Sequence, residues 1–457
     1  MTAGLLTLLM KALTTLVFVN RYVAGIALRL LKGRKFDETR DDFEPTVEVI
    51  IPMFNEGASI EESLVSLLAQ DYPAEKLRIT VVDDCSTDDS YEHAARIALT
   101  SKGRIRVSKN PRNLGKRHSI IRATRQSEAE IIVSVDSDVV VDAPAIRQLM
   151  RRFVSPQIAA VGGRIDVRNM RDNWLTRMQV VKYWYAYSFL KNLEWAFRRV
   201  MCLSGCLTAY RRTVLNELEP VLMNREILGV PIKYGEDRFL TRKIVAAGYH
   251  TTMTNDAVCR TFVPTTLAGY FSQQLRWRRS NIVDYVGGMS HVWRLNPIIA
   301  IHFFSLFGLL VAYPALIARS IMRGTFLPLL VSHIIGAFGF GLIYRWYVRK
   351  ERADLRVSAL AFVPIALVLP IIYAWLTPVA LFTLDSSSWE TRGHGGTNEE
   401  DAGAKDGTTD DTAGELALPK PAPAPAFGLA AREVTASASR SGGMPAHTLI
   451  RQNTHLD

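Results

Sequence analysis

Apolar residues along this chain follow two rhythms. In the first, Val47–Pro52, Leu77–Val82 and Ile131–Val135 are short runs rich in β-branched residues, the pattern of strands covered on both faces. Ser59 and Glu62 have the spacing of a capping box, which predicts a helix starting there and running towards Gln70. Strands alternating with helices in this way predict an α/β domain over residues 44–285, built on a doubly wound, mostly parallel sheet. In the second rhythm, Pro297–Ala318, Phe326–Tyr344 and Val357–Phe382 each hold the roughly 20 apolar residues needed to cross a bilayer.

The segments around these blocks are weaker. Asn281–Arg294 reads as an interface helix, so residues 286–384 are expected to hold the end of it and three membrane spans. Leu5–Leu31 is apolar but broken by Lys11 and Arg21, and it lacks a small-residue cleavage site. It reads as an anchor helix over residues 1–35, with an amphipathic helix lying in the interface as the alternative. Residues 385–457, rich in Ala, Gly, Pro, Thr and acidic side chains, cannot bury enough surface to offset their ordering entropy; disorder and no catalytic role are expected.

Charge sharpens the picture. The net charge is +11, but residues 385–457 carry 11 acidic and 6 basic side chains, so that segment is −5 and the rest +16. So basic a body suits nucleic acid, anionic headgroups or phosphorylated substrates; the membrane segments select the last two and leave nucleic acid out. Arg29, Lys32, Arg34 and Lys35 follow the first apolar run, and Arg345, Arg349, Lys350, Arg352 and Arg356 lie between the last two spans. The loop between Arg319 and Arg323 is poorer in charge, so the positive-inside rule places the α/β domain at the cytoplasmic face of the cell membrane. Cys85, Cys202, Cys206 and Cys259 form no CxxC pair and lack zinc spacing, which fits small core residues in a reducing compartment.

Carboxylates recur where strands end. Asp83-Asp84 closes the second predicted strand, and Asp136-Ser137-Asp138 closes the third. An Asp there can accept a hydrogen bond from a base or ribose, and a pair one residue apart can hold a hard divalent cation against a diphosphate. The same residues also cap helices and form turns. No GxGxxG follows the first strand, which disfavours a dinucleotide.

Seven segments extend the pattern in order: Ile51–Glu56, Asp83-Asp84, Asn113–Arg117, Asp136–Asp138, Leu203–Cys206, Gly235–Arg238 and Gln273–Trp277. Together, over residues 46–285, they resemble the inverting glycosyltransferases of family 2, the group of hyaluronan, chitin and cellulose synthases. The resemblance implies a GT-A-like nucleotide-sugar domain. It makes Asp84 similar to the family's uracil-contacting Asp, with Asp83 in support, and Lys116 similar to a lysine of the nucleotide pocket. Asp138 resembles the metal-binding Asp of the DxD motif for Mg2+ or Mn2+, with Asp136 nearer the sugar and ribose. Asp237 matches the general base, and Gln273, Arg276 and Trp277 match the QxxRW motif of processive members, with Arg on the diphosphate and Trp beneath the acceptor sugar. Gly205 and Cys206 fall in the acceptor region; Cys206 stands where hyaluronan-type members usually have Pro, which leaves the acceptor-pocket shape open.

The residues alone keep plainer alternatives. Glu236 and Asp237 suit the first turn of a helix, Trp277 beside Arg278 and Arg279 suits an interfacial anchor, and Lys116 suits a solvated surface. Asp172–Arg177 and the later motifs look most like hyaluronan synthases and nodulation-factor chitooligosaccharide synthases, which implies UDP-N-acetylglucosamine as donor and a growing β-linked polysaccharide as acceptor. One N-terminal and three C-terminal spans resemble the chitooligosaccharide layout, and UDP-glucuronate as second donor stays open. The rivals are a non-processive enzyme acting on a polyprenyl phosphate or glycolipid, and a non-catalytic membrane scaffold.

Overall fold

The β-branched runs become the centre of a sheet in a computed structural model of the chain. It describes residues 38–384 except 228, 233 and 352, together with residues 8, 9, 12, 15, 16, 19–24, 27 and 31. The expected disorder of residues 385–457 lies outside the described residues, as does most of the expected anchor over 1–35.

The elements run β1 (Val47–Met53), α1 (Ser59–Leu68), β2 (Leu77–Asp83), α2 (Ser90–Thr100), β3 (Ile105–Lys109), α3 (Lys116–Gln126), β4 (Ile131–Val135), β5 (Val140–Val141), α4 (Ala145–Met150) and β6 (Ile158–Val167). There follow α5 (Trp174–Trp184), α6 (Asn192–Ala196), β7 (Leu207–Arg211), α7 (Arg212–Met223), the hairpin β8 (Glu226–Ile227) and β9 (Val230–Pro231), α8 (Glu236–Ala246), β10 (His250–Thr261) and α9 (Leu267–Gly288). Among the described residues, eight strands form one sheet in the order β3-β2-β1-β4-β7-β6-β10-β5. β1 pairs in parallel with β2 and β4, in register Val47↔Leu77 and Val47↔Ile131, while β7 runs antiparallel to β4 and β6. Only β7 and β5 oppose the common direction.

Alternation along the central strands supplies both faces of the core. Val49, Ile51 and Met53 of β1 join one apolar cluster with Val133 and Val135 of β4, while Ile50 and Ile132 point into the opposite one. Each such side chain contributes roughly 1.5–3 kcal/mol of burial. β1 to β4 therefore form a rigid floor whose carboxyl ends share one edge.

Two local expectations are corrected. The first helix starts at Ser59, but Ser59 does not cap it: its Oγ donates to the Glu56 carbonyl at 2.6 Å, and Glu62 turns away to pair with Arg168. No interface helix begins near Asn281, because α9 carries Gln273–Trp277 and continues unbroken to Gly288, with only a short 3-10 turn at Val292–Arg294.

Among the described residues, three helical segments are long and apolar enough to cross a membrane: α10 (Pro297–Met322), residues Phe326–Arg349 of α11 (Phe326–Glu351), and Ala359–Leu381. The last is broken into α12 (Ile365–Ile371), a π turn at Ile372–Leu376 and α13 (Thr377–Leu381). Aromatic contacts join these helices to the sheet domain. Trp184 packs edge-on against Tyr344 at 5.4 Å, and Tyr185 against Phe340 at 5.0 Å.

α8 and α9 are locked together by a buried ion pair. Arg242 Nε donates to Asp284 Oδ1 at 2.6 Å and its Nη1 to the Gly287 carbonyl at 3.0 Å, with both side chains 5% exposed or less. Removing the arginine leaves the buried Asp284 carboxylate without its direct partner. Arg242→Met is therefore expected to cost about 3–5 kcal/mol, read as a large drop in the thermal midpoint of the purified protein; a midpoint unchanged from wild type would refute it.

Candidate active site

The carboxyl edge of the sheet opens into a cleft of about 650 Å³. Segments following β1, β3 and β4 form one side, the start of α8 closes the floor, and α9 supplies the far wall. The turns are held tightly. Asn55 and Cys85, directly after β1 and β2, take left-handed backbone conformations with φ of 50° and 66°, and Asn55 Oδ1 accepts from the Thr87 N–H at 2.9 Å.

Lys116 stands at the centre. It is the first residue of α3, and its Nζ reaches Asp136 Oδ1 at 2.6 Å and Glu236 Oε1 at 2.7 Å. Burial works against its charge, but Asp136, Glu236 and Asp237 outweigh that and hold its pKa well above the ordinary lysine value. Burial would likewise raise Glu236, yet the Lys116 ammonium keeps that carboxyl low. Asp237 goes the other way: burial first, then the adjacent Glu236 charge, push its pKa up. Glu236 and Asp237 open α8 after Gly235, whose φ of 66° and close approach to Ser280 suit glycine. The helix-start reading holds, and the same two residues line the cleft.

Other predicted residues meet in the same place. Cys206 Sγ lies 3.3 Å from Asp136 Oδ2, and the Gly205 N–H donates to Asp237 Oδ2 at 3.2 Å. Asp138 accepts from Thr261 Oγ1 at 3.1 Å, and Arg276 and Trp277 line the wall on α9. Asp83, Asp84 and Gln273 are placed differently: all three are buried and none forms part of the cleft wall. Asp84, aimed at the base by the sequence reading, accepts from Asn110 Nδ2 at 2.6 Å and from the N–H groups of Leu114 and Gly115 at 3.0 and 2.6 Å. It shapes the loop whose Asn113, Leu114 and Gly115 do face the cleft. Asp83 Oδ1 accepts from the Ser86 N–H at 3.0 Å, and Gln274 rather than Gln273 reaches the wall.

Three of the wall residues that were given no site role from sequence carry charge near the predicted ones. Glu56 follows β1 and accepts from Ser137 Oγ at 2.8 Å; burial, then the Asp138 charge, push its pKa up to about 7. Its position after a strand was the available signal. Glu236 pairs with Lys116, and Lys182 interrupts the otherwise apolar end of α5. Among the described residues no three His, Cys, Asp or Glu side chains are grouped to hold a metal ion unaided. The donor set of Asp136 and Asp138, with the Glu56 carboxyl beside them, does fit a hard cation completed by substrate phosphate oxygens and water.

Carboxylates, a lysine and an arginine thus share one cleft at the edge of the sheet. The sequence model described as "Glycosyltransferase like family 2" matches residues 45–280, and the chain belongs to that family of enzymes. It is 33% identical over 364 residues to an N-acetylglucosaminyltransferase of Rhizobium leguminosarum bv. viciae, covering 76% of this chain and 82% of the relative. A namesake from Rhizobium meliloti (strain 1021) is 32% identical with the same coverage of both chains. A solved mannosyltransferase from Pyrobaculum calidifontis, in complex with GDP-Man and Mn2+, aligns with TM-score 0.49 and 22% identity over 79% of this chain and 99% of its own.

Gly205 leaves little room beside Lys116. A Cβ there would lie 2.6 Å from Lys116 Nζ and 3.5 Å from Asp136 Oδ1. Gly205→Ala is expected to displace the lysine and weaken nucleotide-sugar binding by about tenfold or more, the worth of one charge-assisted hydrogen bond. Equilibrium binding to the purified variant measures this, and an unchanged Kd would count against it.

Proposed function

We propose that this chain is a membrane N-acetylglucosaminyltransferase that builds a short β-linked, chitin-like oligosaccharide from UDP-N-acetylglucosamine with inversion. The observation carrying the reading is the convergence of Lys116, Asp136, Asp237, Arg276 and Trp277 on one cleft. The names of the relatives supply the sugar, and nothing in the cleft calls for alternation with glucuronate.

In this reading the leaving UDP lies along the side of Asn113–Lys116, and Arg276 faces its diphosphate from α9. Asp136 and Asp138 would hold Mg2+ or Mn2+, which supplies charge neutralisation for the leaving group. Asp237 takes the proton of the acceptor hydroxyl as that oxygen attacks the anomeric carbon. Its place beneath the Gly205 N–H fixes the carboxylate, and a single displacement at one face of the sugar inverts the linkage. Trp277 offers its ring to the acceptor sugar. Beyond it the cleft is walled by Phe303, Leu306 and Leu310 of α10, which supports an exit path along Ile298–Phe307. The catalytic domain faces the cytoplasm, where nucleotide sugars are made and where the basic loop between the last two spans is drawn.

Membranes containing the full chain test this with radiolabelled UDP-N-acetylglucosamine. Asp237→Asn is expected to lower incorporation by about 10²–10⁴-fold; wild-type incorporation would remove Asp237 from the mechanism. Products of several residues support the oligosaccharide reading, and a single transfer to lipid would replace it with the non-processive one. The pH profile gives a second check. A general base must be ionised, so turnover falls as pH drops through the raised Asp237 pKa. Glu236→Gln removes a charge that raises it, and the acid limb is expected to move to lower pH; a limb that stays put or moves up would contradict the assignment.

A further inference from the structure

Lys182 is an unusual residue for its place. It follows Met178–Val181 on α5 and precedes Tyr183 and Trp184, so an apolar side chain would suit the pattern better. Instead its Nζ donates to Tyr270 Oη at 2.9 Å and to Gln274 Oε1 at 2.6 Å, both on α9 and both buried. The ammonium lies 4.8 Å from the Tyr270 ring centre and 5.4 Å from that of Trp277. The Tyr183 ring also meets Trp277, at 6.1 Å with a 51° tilt. Trp277 is thus contacted by a cation and an aromatic ring from one helix. Lys182, Tyr183, Gln274 and Trp277 all line the cleft.

Resting on the acceptor role given to Trp277 above, we propose that Lys182 is a positioning residue for the acceptor platform: clamped by Tyr270 and Gln274, its ammonium fixes the orientation of the Trp277 ring on which the acceptor sugar lies. The contact joins α5 to α9 through the one side chain whose angle decides where the acceptor hydroxyl meets Asp237. The groups facing the amine are Tyr270, Trp277 and Arg278 on α9 and Tyr183 on its own helix. Burial, then the Arg278 charge, lower the Lys182 pKa to about 7. The ammonium is therefore present below that pH and lost above it, and acceptor affinity follows the same direction.

The test uses the full chain in membranes, with UDP-N-acetylglucosamine as donor and a soluble chitooligosaccharide as acceptor. Lys182→Met keeps the stem and removes the amine. It is expected to raise the acceptor KM about tenfold, the size of a desolvated cation–π contact, with the donor KM unchanged and Lys182→Arg restoring most of the loss. Wild-type acceptor KM should climb as pH rises through about 7, while Lys182→Met stays flat. In a Trp277→Ala background Lys182→Met should add nothing, because the lysine acts through that ring. Additive effects, an equal loss on donor and acceptor parameters, or an unchanged acceptor KM would each overturn the positioning role while leaving the functional reading intact. A wild-type chain that incorporates nothing from UDP-N-acetylglucosamine would overturn that reading and this proposal with it.

Discussion

Mutual repulsion among carboxylates crowded at one sheet edge is the constraint on which the site is built. Glu56, Asp136, Asp138, Glu236 and Asp237 all face the same cleft. Five such groups cannot all ionise at low dielectric without counter-charge. Lys116 answers for two of them directly, and its position is fixed in turn by Asp84, which holds the preceding Leu114 and Gly115 from behind. Burial first, and then the neighbouring carboxylates Asp138 and Glu236, make Glu56 and Asp237 hold their protons more tightly than usual. A substrate that brings a cation and a diphosphate together therefore completes an existing imbalance.

The sheet's parallel half was legible because β-branched runs of strand length have few other uses in an α/β chain. Val47, Leu77 and Ile131 begin the strands where the sequence placed them. The position of β7 was not legible: it enters antiparallel between β4 and β6, a matter of topology that periodicity does not encode. The same limit applies to Asp84. An Asp at a strand end looks alike whether it faces a ligand or a neighbouring loop, and the groups that capture it, Asn110, Leu114 and Gly115, lie 26–31 residues away. Ser59 illustrates a smaller failure. Its spacing to Glu62 was right for a cap, but a carbonyl at 2.6 Å and Arg168 drew the two side chains apart.

Motif reading located Asp136, Asp138, Lys116, Asp237, Arg276 and Trp277, because each lies at an element boundary or on a helix with a distinctive spacing. It passed over Glu236 and Lys182, whose importance comes only from their partners. Glu236 looks like an ordinary first-turn acid until Lys116 is brought beside it from 120 positions earlier in the chain. Lys182 looks like a stray charge on an apolar helix until α9 folds across it.

α9 also explains why the transferase domain and the membrane helices form one functional object. A single helix carries Arg276 and Trp277 in the cleft and then reaches Gly288, nine residues before α10 begins. Along it Arg278 stacks on Tyr373 of the last apolar segment at 4.2 Å, and Arg279 Nε donates to Thr383 Oγ1, two residues past that segment, at 3.0 Å. Tyr234, just before the catalytic helix, donates its hydroxyl to the Leu384 carbonyl at 2.8 Å. Glu194 reaches His302 of α10 at 3.4 Å, and His302 in turn meets Asn20 at 2.6 Å. The cleft itself borrows walls from Phe303, Leu310 and Tyr373. A domain cut at residue 285 would keep its sheet and its carboxylates, but the wall behind Trp277 would be open to water. The low-dielectric surroundings that set the charges of Lys182 and Asp237 depend on helices that, in sequence, read only as anchors.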